Sequence, residues 1–230
     1  MHVEFSVLDL LKKIFTSPLM LIIACVELTS GVFRYSILNW YSVFAKEVAQ
    51  PGAEFFSHHW GWFTCIFGII GGFAGGVISD RLFHSRRGPP AAMLCGIVLV
   101  IATGLSFYLF SAPVLVGWSA VLIVMASIGI TSLMSGTAAT DFGGRKATAT
   151  CAGIVDGFAY VGSGLQSLSL GFIITRAGWH WWPVFIIPFA IVGLILAIKI
   201  WHDLPVATRK YNADKERLKQ GLTLPEMPLP

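Results

Sequence analysis

Six long apolar stretches, separated by short polar or glycine- and proline-rich breaks, organise this chain. Each stretch reaches about the 20 residues that an α-helix needs to cross the hydrocarbon core of a bilayer. The breaks contain proline or glycine, which end helices. The pattern therefore predicts six transmembrane helices, over residues 18–45, 59–80, 90–111, 115–139, 149–175 and 181–202.

The composition agrees with a protein that is embedded in a membrane. Hydrophobic residues make up 55% of the 230-residue chain and charged residues 12%, against roughly 25% charged residues in average soluble domains. The net charge of +4 is spread between the apolar stretches and forms no basic patch, so it does not indicate nucleic-acid binding. The four cysteines lie inside apolar stretches without metal-ligand spacing and are predicted to be small buried side chains.

Basic residues are distributed unevenly between the two ends of the predicted spans. Of the 16 lysines and arginines, Lys46 and Arg176 fall at one end, Arg34 falls inside a span, and the others fall at the end that carries both termini. Basic loops face the cytoplasm in most membrane proteins. Both termini, and the basic loop at 80–87, are therefore expected to be cytoplasmic.

Two flanking segments complete the predicted organisation. Residues 1–17 place apolar side chains at helical spacing beside Lys12 and Lys13, a pattern typical of a short helix on the cytoplasmic membrane surface. Residues 18–202 form the six-helix membrane domain. The polar and then proline-rich residues 203–230 are expected to form a cytoplasmic tail that is partly disordered.

Two charged residues in the first span are the strongest functional candidates. Arg34 lies near its middle, where a charge costs about 2.5–3.5 kcal/mol on insertion scales and normally faces protein or a water-filled cavity. Its planar guanidinium suits phosphate or carboxylate, although a structural ion pair with a nearby acid is the alternative. Glu27 lies on the same face nearly two turns earlier, as a counter-charge, a proton carrier or the partner of a neighbouring helix.

A polar stripe in the fifth span is a second candidate. Asp156 and Tyr160 are four residues apart on an otherwise apolar helix, where they line a pathway or form hydrogen bonds between helices. The same alternatives apply to Tyr35 and Asn39 in the first span. The sequence contains no phosphate-binding loop, nucleophile motif, zinc motif or dinucleotide-binding motif, so it indicates neither an enzyme nor a metal or organic cofactor.

Small and aromatic residues predict how the helices pack and where the membrane surface lies. Glycines four residues apart let helix backbones approach closely, and they are expected to contact neighbouring helices. The glycine stripes are Gly68, Gly72 and Gly76; Gly71 and Gly75; and Gly153 and Gly157. Tryptophans near the outer span ends are expected to anchor the chain at the interface, and they are Trp60, Trp62, Trp118, Trp179, Trp181 and Trp182.

Three segments carry a resemblance to a known family. The run Phe-Arg-Tyr-Ser-Ile-Leu-Asn-Trp at 33–40 resembles the seventh helix of the organophosphate:phosphate antiporters of the major facilitator superfamily. The glycine-rich helix end and basic loop at 76–88 resemble their loop between helices eight and nine, and 138–157 resembles their tenth-to-eleventh helix region. The resemblance implies an all-α membrane protein with six transmembrane helices as two inverted three-helix repeats, one half of a major facilitator fold.

The same resemblance implies a function and roles for individual residues. It implies the C-terminal half of a secondary active transporter that exchanges a phosphorylated metabolite, such as glycerol-3-phosphate or a sugar phosphate, for inorganic phosphate by alternating access. In the family, one arginine on helix seven and another on helix one hold the substrate phosphate, and Arg34 matches the first of these. Asp80, Arg81, Arg86 and Arg87 match the cytoplasmic latch that breaks and reforms as the two halves rock.

The chain also departs from the family. An acid that bacterial members carry before the latch is replaced by Cys65 and Ile66, and Glu27 is the open candidate to substitute for it. Helices one to six are absent, so the expected partner in the lipid bilayer of a bacterial inner membrane is a complementary N-terminal six-helix half. Two alternatives remain open: a membrane sugar-phosphate sensor of the same fold, and a facilitator half for another organic anion.

Overall fold

The computed structural model describes residues 12, 15–48, 52–138 and 144–202, and every regular element in that part of the chain is an α-helix. Six of these helices are long and apolar enough to cross a membrane, which confirms the six predicted spans. The ends differ from the prediction by a few residues. The helices are α1 Pro18–Val48, the short α2 Ala53–His58, α3 Trp60–Leu82, α4 Gly88–Tyr108, α5 Pro113–Ala138, α6 Gly144–Ala177 and α7 Trp181–Lys199.

Proline and glycine set several of the helix ends. Pro89 and Pro90 lie in the first turn of α4, where the missing backbone N–H has no helical partner to lose. Gly178 follows α6 with a φ of 82°, and its N–H donates to the carbonyl of Ile174 at 2.9 Å. This left-handed conformation suits glycine and lets the chain turn at once into α7.

The six spans pack in matched pairs. The helix α1 packs extensively on α6, and α5 packs in the same way on α3. Likewise α1 contacts α7, and α5 contacts α4 to a similar extent. The helices α1, α3 and α4 form one set of three spans, and α5, α6 and α7 form a second set. When the two sets are swapped in order, each of these contacts has a counterpart. Because each set contains three spans, the second set crosses in the opposite direction, so the fold consists of two inverted three-helix repeats.

Glycines make two of the most extensive helix interfaces possible. A Cβ at Gly31 of α1 would overlap the backbone of Ala159, and one at Gly162 of α6 would overlap the carbonyl oxygen of Leu28. The matched interface between α3 and α5 uses Gly71 in the same way, since a Cβ there would overlap the carbonyl oxygen of Met125. Both repeats therefore bring backbones into direct contact at corresponding places.

The expectation that every glycine stripe packs against a helix is wrong for part of the set. Within the described chain, no atom outside their own helix lies within 4 Å of a Cβ placed at Gly76, Gly153 or Gly157. On α3 the reason is geometric: Gly71 and Gly75 face the α5 backbone and Gly68 faces Ile128 of α5, whereas Gly76 lies beyond these contacts. The stripe with Gly76 borders an open groove of about 570 Å³ lined by Gly68, Ile69, Gly72, Phe73, Gly76, Val77, Asp80 and Ser132.

Two expectations about large and small buried side chains also need correction. Trp182 is fully buried rather than interfacial, and its Nε1 donates to the carbonyl of Ser36 at 3.0 Å. Trp62 is 71% exposed, as an anchoring side chain would be. Cys25 and Cys65 are exposed, so they are not the buried side chains that the apolar context predicted. Apolar context does not tell which face of a membrane helix meets protein.

The assignment of residues 1–17 and 203–230 to cytoplasmic segments stays a prediction. The tail lies outside the described residues, as does most of the N-terminal segment. Phe15 is described, and its ring lies 6.3 Å from that of Phe158 on α6. The end of the N-terminal segment therefore contacts the membrane domain.

Replacing Gly31 by leucine is expected to destabilise the six-helix domain by about 1–3 kcal/mol or more, because the side chain overlaps the α6 backbone. Gly153→Leu is the matched control, since it gains the same helix propensity and its Cβ has no described atom of another helix within 4 Å. Thermal unfolding of the full chain in detergent measures the difference. Equal melting temperatures for the two variants would contradict the close α1–α6 contact.

Candidate functional site

Arg34 is held by a hydroxyl and an aromatic ring. The side chain is half-buried, and its Nη1 donates to Oγ1 of Thr131 on α5 at 3.3 Å. The guanidinium carbon lies 4.9 Å from the centre of the Tyr35 ring. No acid within the described chain forms an ion pair with Arg34, and its Nε has no hydrogen-bond partner there. The alternative of a structural ion pair is therefore not supported.

Tyr35, Asn39 and Tyr160 form the accessible side of this site. Tyr35 and Asn39 lie one turn apart on α1, half-buried and exposed respectively. The Tyr160 ring lies 6.0 Å from the Tyr35 ring across the α1–α6 interface and is 65% exposed. The structure thus brings three of the predicted side chains to one surface beside Arg34.

A buried hydrogen bond fixes this surface at its edge. Trp40 Nε1 donates to Oε1 of the buried Gln166 at 3.1 Å, and the Gln166 amide donates to Ser167 Oγ at 2.7 Å. The bond joins α1 to α6 next to Asn39. Together with the glycine contacts, it holds the two helices that carry most of the candidate residues.

Asp156 belongs to the neighbouring interface between α5 and α6. The half-buried carboxylate accepts a hydrogen bond from Ser135 Oγ to its Oδ1 at 2.8 Å. The structure therefore separates the two residues of the predicted stripe. Asp156 forms the hydrogen bond between helices that was one of its alternatives, whereas Tyr160 reaches the open surface one turn further on.

Glu27 lies behind the accessible surface. Its side chain is fully buried, and neither carboxylate oxygen has a hydrogen bond of normal geometry within the described chain. Thr131 and Arg34 are its polar neighbours, although Arg34 forms no ion pair with it. Glu27 is therefore next to the candidate site but does not line its open side in this structure.

Hydroxyl groups on α5 are the part of the site that the sequence reasoning missed. Thr131 connects Arg34 with Ser30, whose Oγ lies 3.5 Å from Thr131 Oγ1 and donates to the carbonyl of Ser127 at 3.2 Å. Ser135 holds Asp156. Ser127, Thr131 and Ser135 repeat every four residues in the fourth span. That periodic stripe was visible in the sequence and could have identified the face.

The predicted latch residues form a separate group, with Asp80 and Arg81 in the last turn of α3 and Arg86 and Arg87 in the loop that follows it. Arg87 lies 3.5 Å from Asp80, and Ser85 Oγ donates to the same carboxylate oxygen at 3.1 Å. Ser79 Oγ donates to the carbonyl of Arg86 at 3.0 Å and shapes the turn. Arg81 is exposed and forms no ion pair with the other described residues. No contact in the described chain joins this loop to Arg34.

Known proteins resemble this chain over most of its length. The chain is 27% identical over 174 residues to a glycerol-3-phosphate transporter of Bacillus subtilis, covering 74% of the chain and 38% of the relative. It is 27% identical over 148 residues to a probable hexose phosphate transport protein of Chlamydia trachomatis, covering 63% and 32%. It is 30% identical over 167 residues to a glucose-6-phosphate exchanger of Mus musculus, covering 66% and 29%.

The relatives of this chain are transporters of the organophosphate:phosphate antiporter family of the major facilitator superfamily. The chain spans about a third of the length of the curated relatives it matches and corresponds to their C-terminal half. No family model matches it. The six apolar spans and these relatives indicate that the chain is an integral membrane protein. The relatives are transporters and exchangers by name.

Removing the Ser135 hydroxyl is expected to destabilise the α5–α6 interface, because a half-buried carboxylate then loses a donor. Ser135→Ala should lower the free energy of unfolding by about 1–2 kcal/mol. Ser132→Ala is the control, since this exposed neighbour should change it by less than about 0.5 kcal/mol. Unfolding of the full chain in mixed detergent micelles measures the free energy of unfolding of both variants. Similar free energies for the two variants would show that the hydrogen bond from Ser135 to Asp156 does not stabilise the fold.

Proposed function

We propose that this chain is the C-terminal half of a transporter that exchanges a phosphorylated metabolite, such as glycerol-3-phosphate or a sugar phosphate, for inorganic phosphate by alternating access. The observation that carries the proposal is the half-buried guanidinium of Arg34 inside a span, without an acidic partner among the described residues. A charge in that place needs a counter-ion. Glycerol-3-phosphate, hexose phosphate and glucose-6-phosphate appear in the names of the relatives.

The side chains around Arg34 suit a phosphorylated ligand. The guanidinium offers two parallel N–H donors to the oxygens of a phosphate, which a lysine cannot do. Tyr35, Asn39 and Tyr160 add hydroxyl and amide groups on the accessible side for the phosphate or for the hydroxyls of the organic part. Asp156 lies in the neighbouring α5–α6 interface, where it accepts a hydrogen bond from Ser135. Its negative charge would repel an anion that moves from Arg34 towards it.

The other wall of the site comes from a complementary N-terminal six-helix half. In this family a second arginine on that half completes the grip on the phosphate, and the chain alone supplies one. Large exposed apolar side chains, among them Phe73 on α3 and Leu168 on α6, leave ample surface for lipid and for that half. The uneven distribution of basic residues supports a cytoplasmic position for both termini, and the proposed location is a bacterial inner membrane.

The Asp80 loop serves as the cytoplasmic latch. The Asp80 side chain is 57% exposed and that of Arg87 is 25% exposed. An exposed ion pair of this kind contributes about 1 kcal/mol or less. Asp80 can therefore exchange Arg87 for a partner on the other half at little cost as the halves rock, and Arg81 and Arg86 supply further positive charge.

Arg34→Lys in the complete transporter is expected to lower kcat/KM for phosphate exchange by roughly tenfold to a hundredfold. One charge-assisted hydrogen bond contributes about 1.5–3 kcal/mol, and lysine replaces the fork by a point charge. Uptake of radiolabelled glycerol-3-phosphate into phosphate-loaded proteoliposomes measures the change. Arg176→Lys, at an exposed side chain over Phe172, is the control and should leave exchange unchanged. Equal exchange in all three proteins would exclude Arg34 from the site.

The 230-residue chain reconstituted alone is expected to show no exchange, because one wall of the site is absent. Adding the complementary half, fused or co-expressed, should restore uptake of labelled phosphate into phosphate-loaded vesicles. Robust uptake by the isolated chain would contradict the two-half arrangement. Tight phosphate binding by the complete protein without any exchange would instead indicate a sensor.

A further inference from the structure

Glu27 is a buried acid to which the described residues offer no ion pair. Its side chain is 0% exposed, and within the described chain no donor bonds to either carboxylate oxygen and no cation pairs with it. Burying an ionised carboxylate without such compensation is far more costly than burying a neutral carboxyl group. The geometry therefore favours a Glu27 side chain that carries a proton.

A hydroxyl connects this acid with the accessible site. Thr131 is a polar neighbour of Glu27, and its Oγ1 accepts a hydrogen bond from Arg34 Nη1 at 3.3 Å. A hydroxyl group can accept one proton while it donates another, so Thr131 can pass a proton between a carboxyl group and water. Because Arg34 is half-buried, the water beside its guanidinium is the natural source and acceptor of that proton.

We propose that Glu27 is a proton-binding site, distinct from the phosphate position at Arg34, and that Thr131 joins the two. The proton comes from water beside Arg34, forms one O–H bond with a carboxylate oxygen, and leaves by the same route. No other bond forms or breaks, and no redox partner is needed. The consequence for transport rests on the proposed function.

That consequence is a coupling between anion and proton. The charge of Arg34 stabilises an ionised Glu27, and charges interact at about 10 Å in a low-dielectric interior. An anion on Arg34 cancels this influence, so anion binding favours proton binding. By linkage the proton strengthens anion binding to the same extent. A transporter with this arrangement binds its anion together with a proton.

The other titratable groups near Glu27 do not replace it. Asp156 on α6 is an acid as well, but it is half-buried and hydrogen-bonded to Ser135, and its charge favours a protonated Glu27. Cys95 on α4 is a buried cysteine, which neither donates a charge to Glu27 nor pairs with another described cysteine. The helix α5 has no titratable side chain, α7 has Lys199 in its last turn, and α2 has the exposed Glu54 and His58.

Infrared spectroscopy of the full chain in lipid tests the proton site directly. A protonated carboxyl group has a carbonyl band that an ionised carboxylate lacks. We expect this band at neutral pH in the wild-type chain, its loss in Glu27→Gln, and its retention in Glu54→Gln. A band that survives Glu27→Gln, or that disappears in Glu54→Gln, would overturn the assignment.

A second variant keeps the test decisive where Glu27→Gln does not fold. In Thr131→Val the Glu27 carboxyl group remains. Its carbonyl band shifts in heavy water when deuterium replaces the carboxyl proton, and this exchange should be slower than in the wild-type chain because the connecting hydroxyl is lost. Thr131→Ser should restore the wild-type rate. Equal rates in the three chains would show that Thr131 does not carry the proton.

The coupling is tested on the complete transporter with inorganic phosphate as the probe. Adding phosphate to the protein in weakly buffered solution with a pH-sensitive dye should show proton uptake in the wild type and its loss in Glu27→Gln, with Glu54→Gln as control. Exchange without any proton uptake, or equal uptake in both variants, would refute the coupling. No exchange in a wild type that keeps its infrared band would refute the proposed function and leave the proton site standing.

Discussion

The arrangement of this six-helix domain depends on one charge that its described residues do not neutralise. Arg34 lies inside a span, and the described chain offers it the Thr131 hydroxyl and the Tyr35 ring but no carboxylate. A hydroxyl orients a guanidinium without cancelling its charge. Among the described residues the guanidinium therefore lacks a counter-charge, which is the condition on which the proposed binding of phosphate rests. An acid in place of Thr131 would supply that counter-charge and remove this support for the proposal.

Close helix packing holds that charge in position. The helices α1 and α6 touch through Gly31 and Gly162, and the bond from Trp40 to Gln166 joins them again beside Asn39. The matched glycine interface between α3 and α5 sets the position of Thr131 from the other repeat. Other glycines, Gly76 on α3 beside the open groove and Gly153 and Gly157 on α6, have no described atom of another helix within 4 Å of a Cβ. Close backbone contact is therefore limited to part of the glycine set. The repeat architecture thus builds one rigid wall, to which the loop at Asp80 adds a weak and exposed contact.

The sequence predicted the spans and the charged residues of the candidate site, but it did not identify the hydroxyl groups that connect its helices. Hydropathy located the six helices because a membrane span has a minimum apolar length, and Arg34 and Asp156 were found because charges inside spans are rare. Thr131 and Ser135 were missed because most hydroxyls in these helices bond to a carbonyl in their own preceding turn, as Ser36 and Thr103 do. Only the structure shows which hydroxyls reach another helix. The same limit explains Trp182, which is buried although its position near a span end is typical of an interface anchor.

The spacing of Glu27 and Arg34 on one helix explains why a membrane domain can hold an acid and a base without pairing them. Side chains meet on a helix three or four residues apart, and the positions that could reach Arg34 within α1 are Ser30, Gly31, Ile37 and Leu38, none of which is acidic. Glu27 is seven residues away, about 10 Å along the axis, so a direct ion pair along the helix is out of reach. Each group then has to find its counterpart elsewhere. In our proposals that counterpart is an anion from the open side for Arg34, and for the fully buried Glu27 it is a proton, which is small enough to arrive through Thr131.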